Sequence, residues 1–439
     1  MKKILTFLII TIPAILLIWH LAARPEPEFL QVGDDPARKV EIQNTELTGW
    51  KKGNKSWRIQ ADKIWFGNNK DTAFFERIQN GKLYNLTGAL IMDKLTGTGG
   101  HAYLQQENIF VSGNISGRYF NKKGEKTMLS ANHLAFAAAK MDLMGEVKAI
   151  QNEFIITASL VIIYPTKNIA QFPLGFNWKS GKEIINADFL EYYLDDLKGI
   201  ISGNVQAVLE KPTAIINSRA GEITEYTYQL KKDVVYNSAD TSFTCDQLEW
   251  FRNEGRLTAT KIKELKKDGN VTSADNAEMW TEPFSISLME NIVIRRPNDF
   301  IKGEKALLGK DNLMMTCGVI IEIDRIKKHI HDEYRESIRG DRMRETLQNT
   351  AVIRGNILAH NAIDESTIIK GSAEVVQGGK TARADKITYL TKEGRLLLEQ
   401  EVQIKEGLEW INCDQLTVDL ENAEFIVSGN VKSRILIEK

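Results

Sequence analysis

Five aspartates recur in one setting. Asp62, Asp188, Asp246, Asp385 and Asp414 each follow an alanine or a cysteine and stand two residues before an aliphatic side chain. Paired carboxylates could run general acid–base chemistry. A catalytic pair, however, is assembled once and not once per repeat, so the regular recurrence points to hydrogen bonding at turns or strand ends. The three cysteines form no C-x-x-C pair, and such an odd, sparse set is no disulfide framework. Cys245 and Cys413 occupy the slot that alanine fills in the other copies, so they read as small buried thiols. Cys317 has no equivalent partner. His329 and His331, followed by Asp332 and Glu333, are the one cluster with metal-ligand character, and the dense charge of 324–347 reads more simply as a solvated segment. Gly378-Gly379-Lys380-Thr381 has the ending of a phosphate loop, but Glu374 stands where the loop needs its first glycine. No G-x-S-x-G and no H-E-x-x-H occurs. No residue is nominated as a nucleophile, no cofactor or metal is implied, and the expectation is a non-enzymatic protein.

The elements that carry these residues repeat. The unit is a small residue, Asp or Asn, any residue, an aliphatic, any residue and usually an aromatic. It appears at Ala61–Phe66, Ala131–Phe136, Ala187–Tyr192, Cys245–Trp250, Ala384–Tyr389 and Cys413–Val418, and more weakly at Ala274–Met279. Apolar residues two apart share one face of a strand, so each copy is a half-buried strand. A second element follows: Val205, Val402 and Val431 each lie 17 residues after the Asp of their copy, two of them just after Ser-Gly-Asn. Gly and Asn tolerate left-handed backbone, so Ser202-Gly203-Asn204 and Ser428-Gly429-Asn430 read as turns that reverse or kink a strand, with relatives at Ser112-Gly113-Asn114 and Arg354-Gly355-Asn356. Regular short strands with Gly/Asn punctuation predict an all-β chain of sandwich, barrel, jellyroll or solenoid type.

The chain has 439 residues, 43% hydrophobic and 26% charged, with a net charge of −1. That length suits two or three domains or one elongated repeat array. The balanced charge gives no field to attract nucleic acid. Met1-Lys2-Lys3 precedes an uncharged apolar run, Ile4–Ala23. Twenty helical residues span about 30 Å, enough to cross a bilayer. Residues 1–24 are therefore expected to be a single-pass anchor with the lysines on the cytoplasmic side. The alternative is a signal peptide cleaved after Leu21-Ala22-Ala23.

Together these motifs resemble the LptC/LptA (OstA-like) family of lipopolysaccharide-transport periplasmic proteins. The strand Trp57-Arg58-Ile59-Gln60-Ala61-Asp62 behind an apolar N-terminus is similar to LptC, and the recurring Ala-Asp-x-Leu/Ile-x-Tyr strand with a downstream Gly-Asn-Val is similar to the OstA repeat. The repeats cover most of 55–439, about twice what one such protein needs, so the chain resembles a fusion. The resemblance implies tandem OstA-like slit β-jellyrolls forming an elongated apolar trough, preceded by one N-terminal transmembrane helix. It implies an LptC-like module at 25–165, bounded near Tyr164-Pro165, and OstA/LptA-like repeats at 166–439. The implied setting is the inner membrane, single-pass, with the bulk of the chain in the periplasm of a diderm bacterium. The implied cargo is lipopolysaccharide, received from an inner-membrane ABC transporter complex. The implied partner at the C-terminal end is another OstA-like jellyroll or an outer-membrane translocon. The residues expected to line the trough are Ile64, Phe66, Leu134, Phe136, Leu190, Tyr192, Val205, Leu248, Trp250, Ile387, Tyr389, Val402, Leu416, Val418 and Val431. The competing expectation is that they form an ordinary closed core, in a structural or adhesive β-solenoid scaffold that carries no lipid.

Overall fold

The computed structural model describes residues 40–66, 70–105, 108–210, 213–267, 269–296, 299–323, 350–419 and 424–435. The expected anchor at 1–24 and the charged segment with His329 and His331 lie outside the described residues. Among the described residues no helix is long and apolar enough to cross a membrane.

The described chain is all-β: 28 strands, from Val40–Lys51 to Lys432–Arg434, in one sheet. Successive levels of the chain pair antiparallel, so the sheet is one long meander. Some levels are two short strands end to end, such as Ile169–Phe172 with Phe176–Ser180, and Glu183–Ala187 with Phe189–Tyr193. Tyr164-Pro165 lies in the turn before Ile169–Phe172, and the ladder continues across it, because Phe154–Tyr164 pairs with both Ile169–Phe172 and Phe176–Ser180.

Nearly every strand carries a register shift at its middle, for example between Ser202 and Val205, Thr244 and Gln247, and Glu399 and Val402. Such bulges bend a strand sharply and interrupt its alternation. Two kinds of strand take turns along much of the sheet, with exceptions such as Arg256–Lys267, buried at Ala259, Ile262 and Leu265, and Phe154–Tyr164, which steps from Ile156 to Val161. In Thr241–Phe251, buried side chains fall at Phe243, Cys245, Leu248 and Trp250, so the step across the bend is three residues. In the neighbouring Thr227–Ser238 they fall at Tyr228, Leu230, Val234 and Tyr236, a step of four. Both steps keep the buried positions of the two half-strands on the concave side of the bend. The sheet thus becomes two arms facing each other across a shared apolar interior.

Of the two readings of the Ser-Gly-Asn motifs, a reversal or a kink, the structure shows the kink at two of them. Ser202-Gly203-Asn204 does not reverse the chain between strands. It is the bend inside Lys198–Leu209, as Ser112-Gly113-Asn114 is inside Asn108–Phe120. Gly203 has φ +92°, and a Cβ there would overlap the Asp188 side chain. The repeated aspartate explains the arrangement. Asp188 Oδ2 accepts hydrogen bonds from the Asn204 backbone N–H and side-chain Nδ2, both at 2.9 Å. Asp414 accepts from Asn430 Nδ2 at 2.9 Å, and Asp275 from Asn291 Nδ2 at 2.6 Å. Asp246 holds Lys263 Nζ at 2.6 Å. These four aspartates are clasps on the convex side of their bends, each tying its bend to that of the next strand. Opposite them, on the concave side, the arms converge and leave room for small residues only. The slot holds Ala61, Ala131, Cys245, Ala274, Ala384 and Cys413, all buried. It also holds Gly355, where an added Cβ would collide with Ile369 Cγ2.

All three cysteines are free. Cys245 and Cys413 lie ten strands apart, roughly 48 Å at the usual strand spacing, so no disulfide can join them. Burial, with the Asp246 charge adding to it, pushes the Cys245 thiol up to about 12.

The clasp makes a direct prediction. Gly203→Ala should lower stability by about 2 kcal/mol, because it adds left-handed strain to a steric conflict at Asp188. Gly269→Ala, at φ +76° in an open turn, should pay only the strain. Urea midpoints compare the two, and equal losses would remove the clasp from the account.

Candidate functional site

Twelve of the fifteen expected lining residues are buried in one continuous apolar cluster: Ile64, Leu134, Phe136, Leu190, Tyr192, Val205, Leu248, Trp250, Ile387, Tyr389, Val402 and Leu416. Phe66 and Val418 are half-buried and pack against it. Val431 does not join the interior. It is 49% exposed, in the break between Glu424–Ser428 and Lys432–Arg434, at the sheet's final described edge. The even-spaced positions after each Asp all fall on one arm, and Val205 and Val402 on the other, so the two sequence elements supply the two facing walls.

Contacts across the interior show the walls meeting. Tyr192, on one arm, lies 6.2 Å from Phe154 and 5.7 Å from Trp178 on the other, with Phe154 and Trp178 stacked at 4.4 Å. Farther along, a void of about 10 Å³ lies between the arms, lined by Phe243, Leu257, Ala259, Met279 and Ile286 among others. That is about the minimum for one water molecule. The interior is therefore filled by side chains at this point. It also holds polar atoms with no hydrogen-bond partner, Trp57 Nε1 and Tyr192 Oη. Such orphans are uncommon in closed cores.

The hairpin turns form two rims, and the rims touch along a seam. Near one end Asn121 Nδ2 donates to the Leu194 carbonyl at 2.9 Å, and Lys123 Nζ donates to the Asp195 carbonyl. In the middle Glu183 gathers Tyr228 Oη at 3.0 Å, Trp250 Nε1 at 3.0 Å and Arg252 Nε at 2.6 Å, while Arg252 Nη2 reaches Ser180 Oγ at 2.7 Å. Beyond it Lys267 Nζ donates to the Lys310 carbonyl at 3.1 Å, and Arg296 Nη1 lies 3.5 Å from His360 Nδ1. Each turn on one rim meets a turn several strands farther along the other, as a twisted sheet requires. Every one of these contacts uses a side chain. No strand pairing closes the seam among the described residues.

Among the described residues no group of three or more His, Cys, Asp or Glu is placed to hold a metal ion. No protein-family model matches the chain, and no curated protein matches it by sequence. Several solved structures resemble part of it. One is the crystal structure of LptH, the LptA homologous periplasmic component of the conserved lipopolysaccharide transport device from Pseudomonas aeruginosa, with 10% identity and a TM-score of 0.23. The match covers 38% of this chain and 95% of LptH.

The seam residues carry no local sequence signal, because their partners stand 43 to 73 residues away. The small slot did carry one. Cys245, Ala274 and Gly303 are spaced by 29 residues, as are Gly355, Ala384 and Cys413. A search by period, rather than by the Ala-Asp pair, finds the glycine copies.

Titration at the seam has a definite sign. Burial, reinforced by the Arg296 charge, pushes His360 down to about 4. A guanidinium can only donate, so His360 Nδ1 accepts from Arg296, and it lies 2.9 Å from Thr367 Oγ1. The folded state thus takes up this proton later than the unfolded chain, whose histidine titrates near 6.5. Its contribution is complete above about pH 6.5 and is lost as the pH falls toward about 4. His360→Gln should flatten the fall of the urea midpoint between pH 6.5 and 4.5. An unchanged slope would contradict the placement of His360.

Proposed function

We propose that this protein is a lipid-transport bridge. It receives lipopolysaccharide from an inner-membrane ABC transporter complex and passes it along the apolar interior toward the outer membrane. The observation that carries this reading is the seam. A continuous apolar interior is closed along one side by isolated side-chain contacts, whereas a sealed barrel closes with a backbone ladder. Interiors of that kind can open sideways along their length.

The magnitudes allow it. Each CH₂ buried releases about 0.8 kcal/mol, so an acyl chain of a dozen carbons releases on the order of 10 kcal/mol. A neutral hydrogen bond contributes about 0.5–1.5 kcal/mol and a charge-assisted one about 1.5–3. One chain can therefore offset a latch. The orphan donors Trp57 Nε1 and Tyr192 Oη suit the ester and hydroxyl oxygens of such a cargo. In this reading the arms form the trough of slit jellyrolls and the protein catalyses nothing. Residues 1–24 anchor it in the inner membrane, and its C-terminal edge pairs with another OstA-like sheet or an outer-membrane translocon.

A filled scaffold without cargo is the second reading, favoured by the tight packing around Phe243 and Met279. Site-specific photo-cross-linking in intact cells separates the two. Probes at Leu190, Tyr192 and Tyr389 should capture lipopolysaccharide, and a probe at Lys386 on the outer face should not. A folded protein that captures lipid at none of them is a scaffold.

A further inference from the structure

We propose that the seam pocket at Arg296 is a binding site for a phosphate group. Arg296 follows the strand Phe284–Arg295 on one rim, and its side chain is only 10% exposed. Its Nε and Nη2 have no hydrogen-bond partner. The nearest carboxylate, Asp299, is 3.8 Å from Nε, beyond hydrogen-bonding reach, and Nη1 has only His360 at 3.5 Å. A buried guanidinium with open donors is costly unless something accepts from it.

The space beside it suits a phosphate. The pocket holds about 50 Å³, several times the roughly 10–15 Å³ that admits one water. Its lining carries Lys267, Arg296 and Lys310 against Asp311, with the ion-paired Asp299 carboxylate behind Arg296, and its other side is apolar, built of Leu265, Ile294, Leu308 and Leu313. The planar fork of arginine matches a phosphate through two parallel hydrogen bonds. A cationic mouth above an apolar floor further matches an amphiphile whose phosphate stays at the seam while its chains lie inside. The phosphate site stands on Arg296 alone. Its assignment to a lipid cargo rests on the transport reading.

The test uses the full chain in calorimetric titrations with three probes: inorganic phosphate, dihexanoyl phosphatidic acid and dihexanoylglycerol. The phosphatidic acid should bind at least tenfold tighter than the uncharged lipid, and Arg296→Gln should erase that preference. Lys310→Gln, on an exposed turn, should weaken phosphatidic acid several-fold with an unchanged urea midpoint, which guards against misfolding of the Arg296 variant. Inorganic phosphate that binds and is lost in both variants, with neither lipid bound, supports the site and removes the lipid. Equal affinity for the two lipids, or a preference that survives both substitutions, overturns the site and leaves the transport reading intact.

Discussion

A strand of a dozen residues buries one face only, and a bend at its middle would throw that face to opposite sides of the sheet unless the alternation is reset. The rest of the structure depends on that reset. The three-residue step from Cys245 to Leu248 and the four-residue step from Leu230 to Val234 make it, and they alternate along much of the meander. Asp188, Asp275 and Asp414 tie their bends to the neighbouring ones from outside, and small residues such as Ala384 and Gly355 let the arms converge inside. Because every level repeats the device, the interior is continuous, and a unit that could not bury its face alone is stabilised by those beside it.

The buried face of each strand was legible in the sequence because burial acts through local alternation. Leu190, Leu248 and Ile387 stand at two-residue spacing from aromatic neighbours and end up in the interior together. Whether the Gly-Asn motifs reverse or kink their strands stayed open because the same backbone serves both, and sequence alone does not say whether the chain turns back or continues after it. Val431 shares its motif with Val205 but lacks a covering strand, so its exposure follows from its place at the end of the sheet. The seam was invisible for a different reason. Glu183 meets Arg252 only because the accumulated twist of the intervening strands brings two rims together, and no local pattern encodes that meeting.

The seam also separates this molecule from a sealed barrel. Its contacts at Asn121, Glu183 and Lys267 are few, polar and side-chain in origin, so each opens without unpairing a strand. The apolar walls beneath it are held by the sheet's own ladder and need not unfold when the rims part. Stability and opening thus rest on different interactions: backbone pairing and clasped bends hold the arms, and side chains alone hold the mouth.

The most direct measurement is the distance across that mouth. Spin labels at Lys182 and Asn253 would flank the Glu183–Arg252 contact on opposite rims, in a chain carrying Cys245→Ala, Cys317→Ser and Cys413→Ala. A second pair at Lys182 and Asp240 would lie along one rim. Adding lipopolysaccharide should lengthen or split the Lys182–Asn253 distance and leave the Lys182–Asp240 distance unchanged. If lipopolysaccharide reaches the interior while the cross-seam distance stays fixed, the seam is not the opening and the account is wrong.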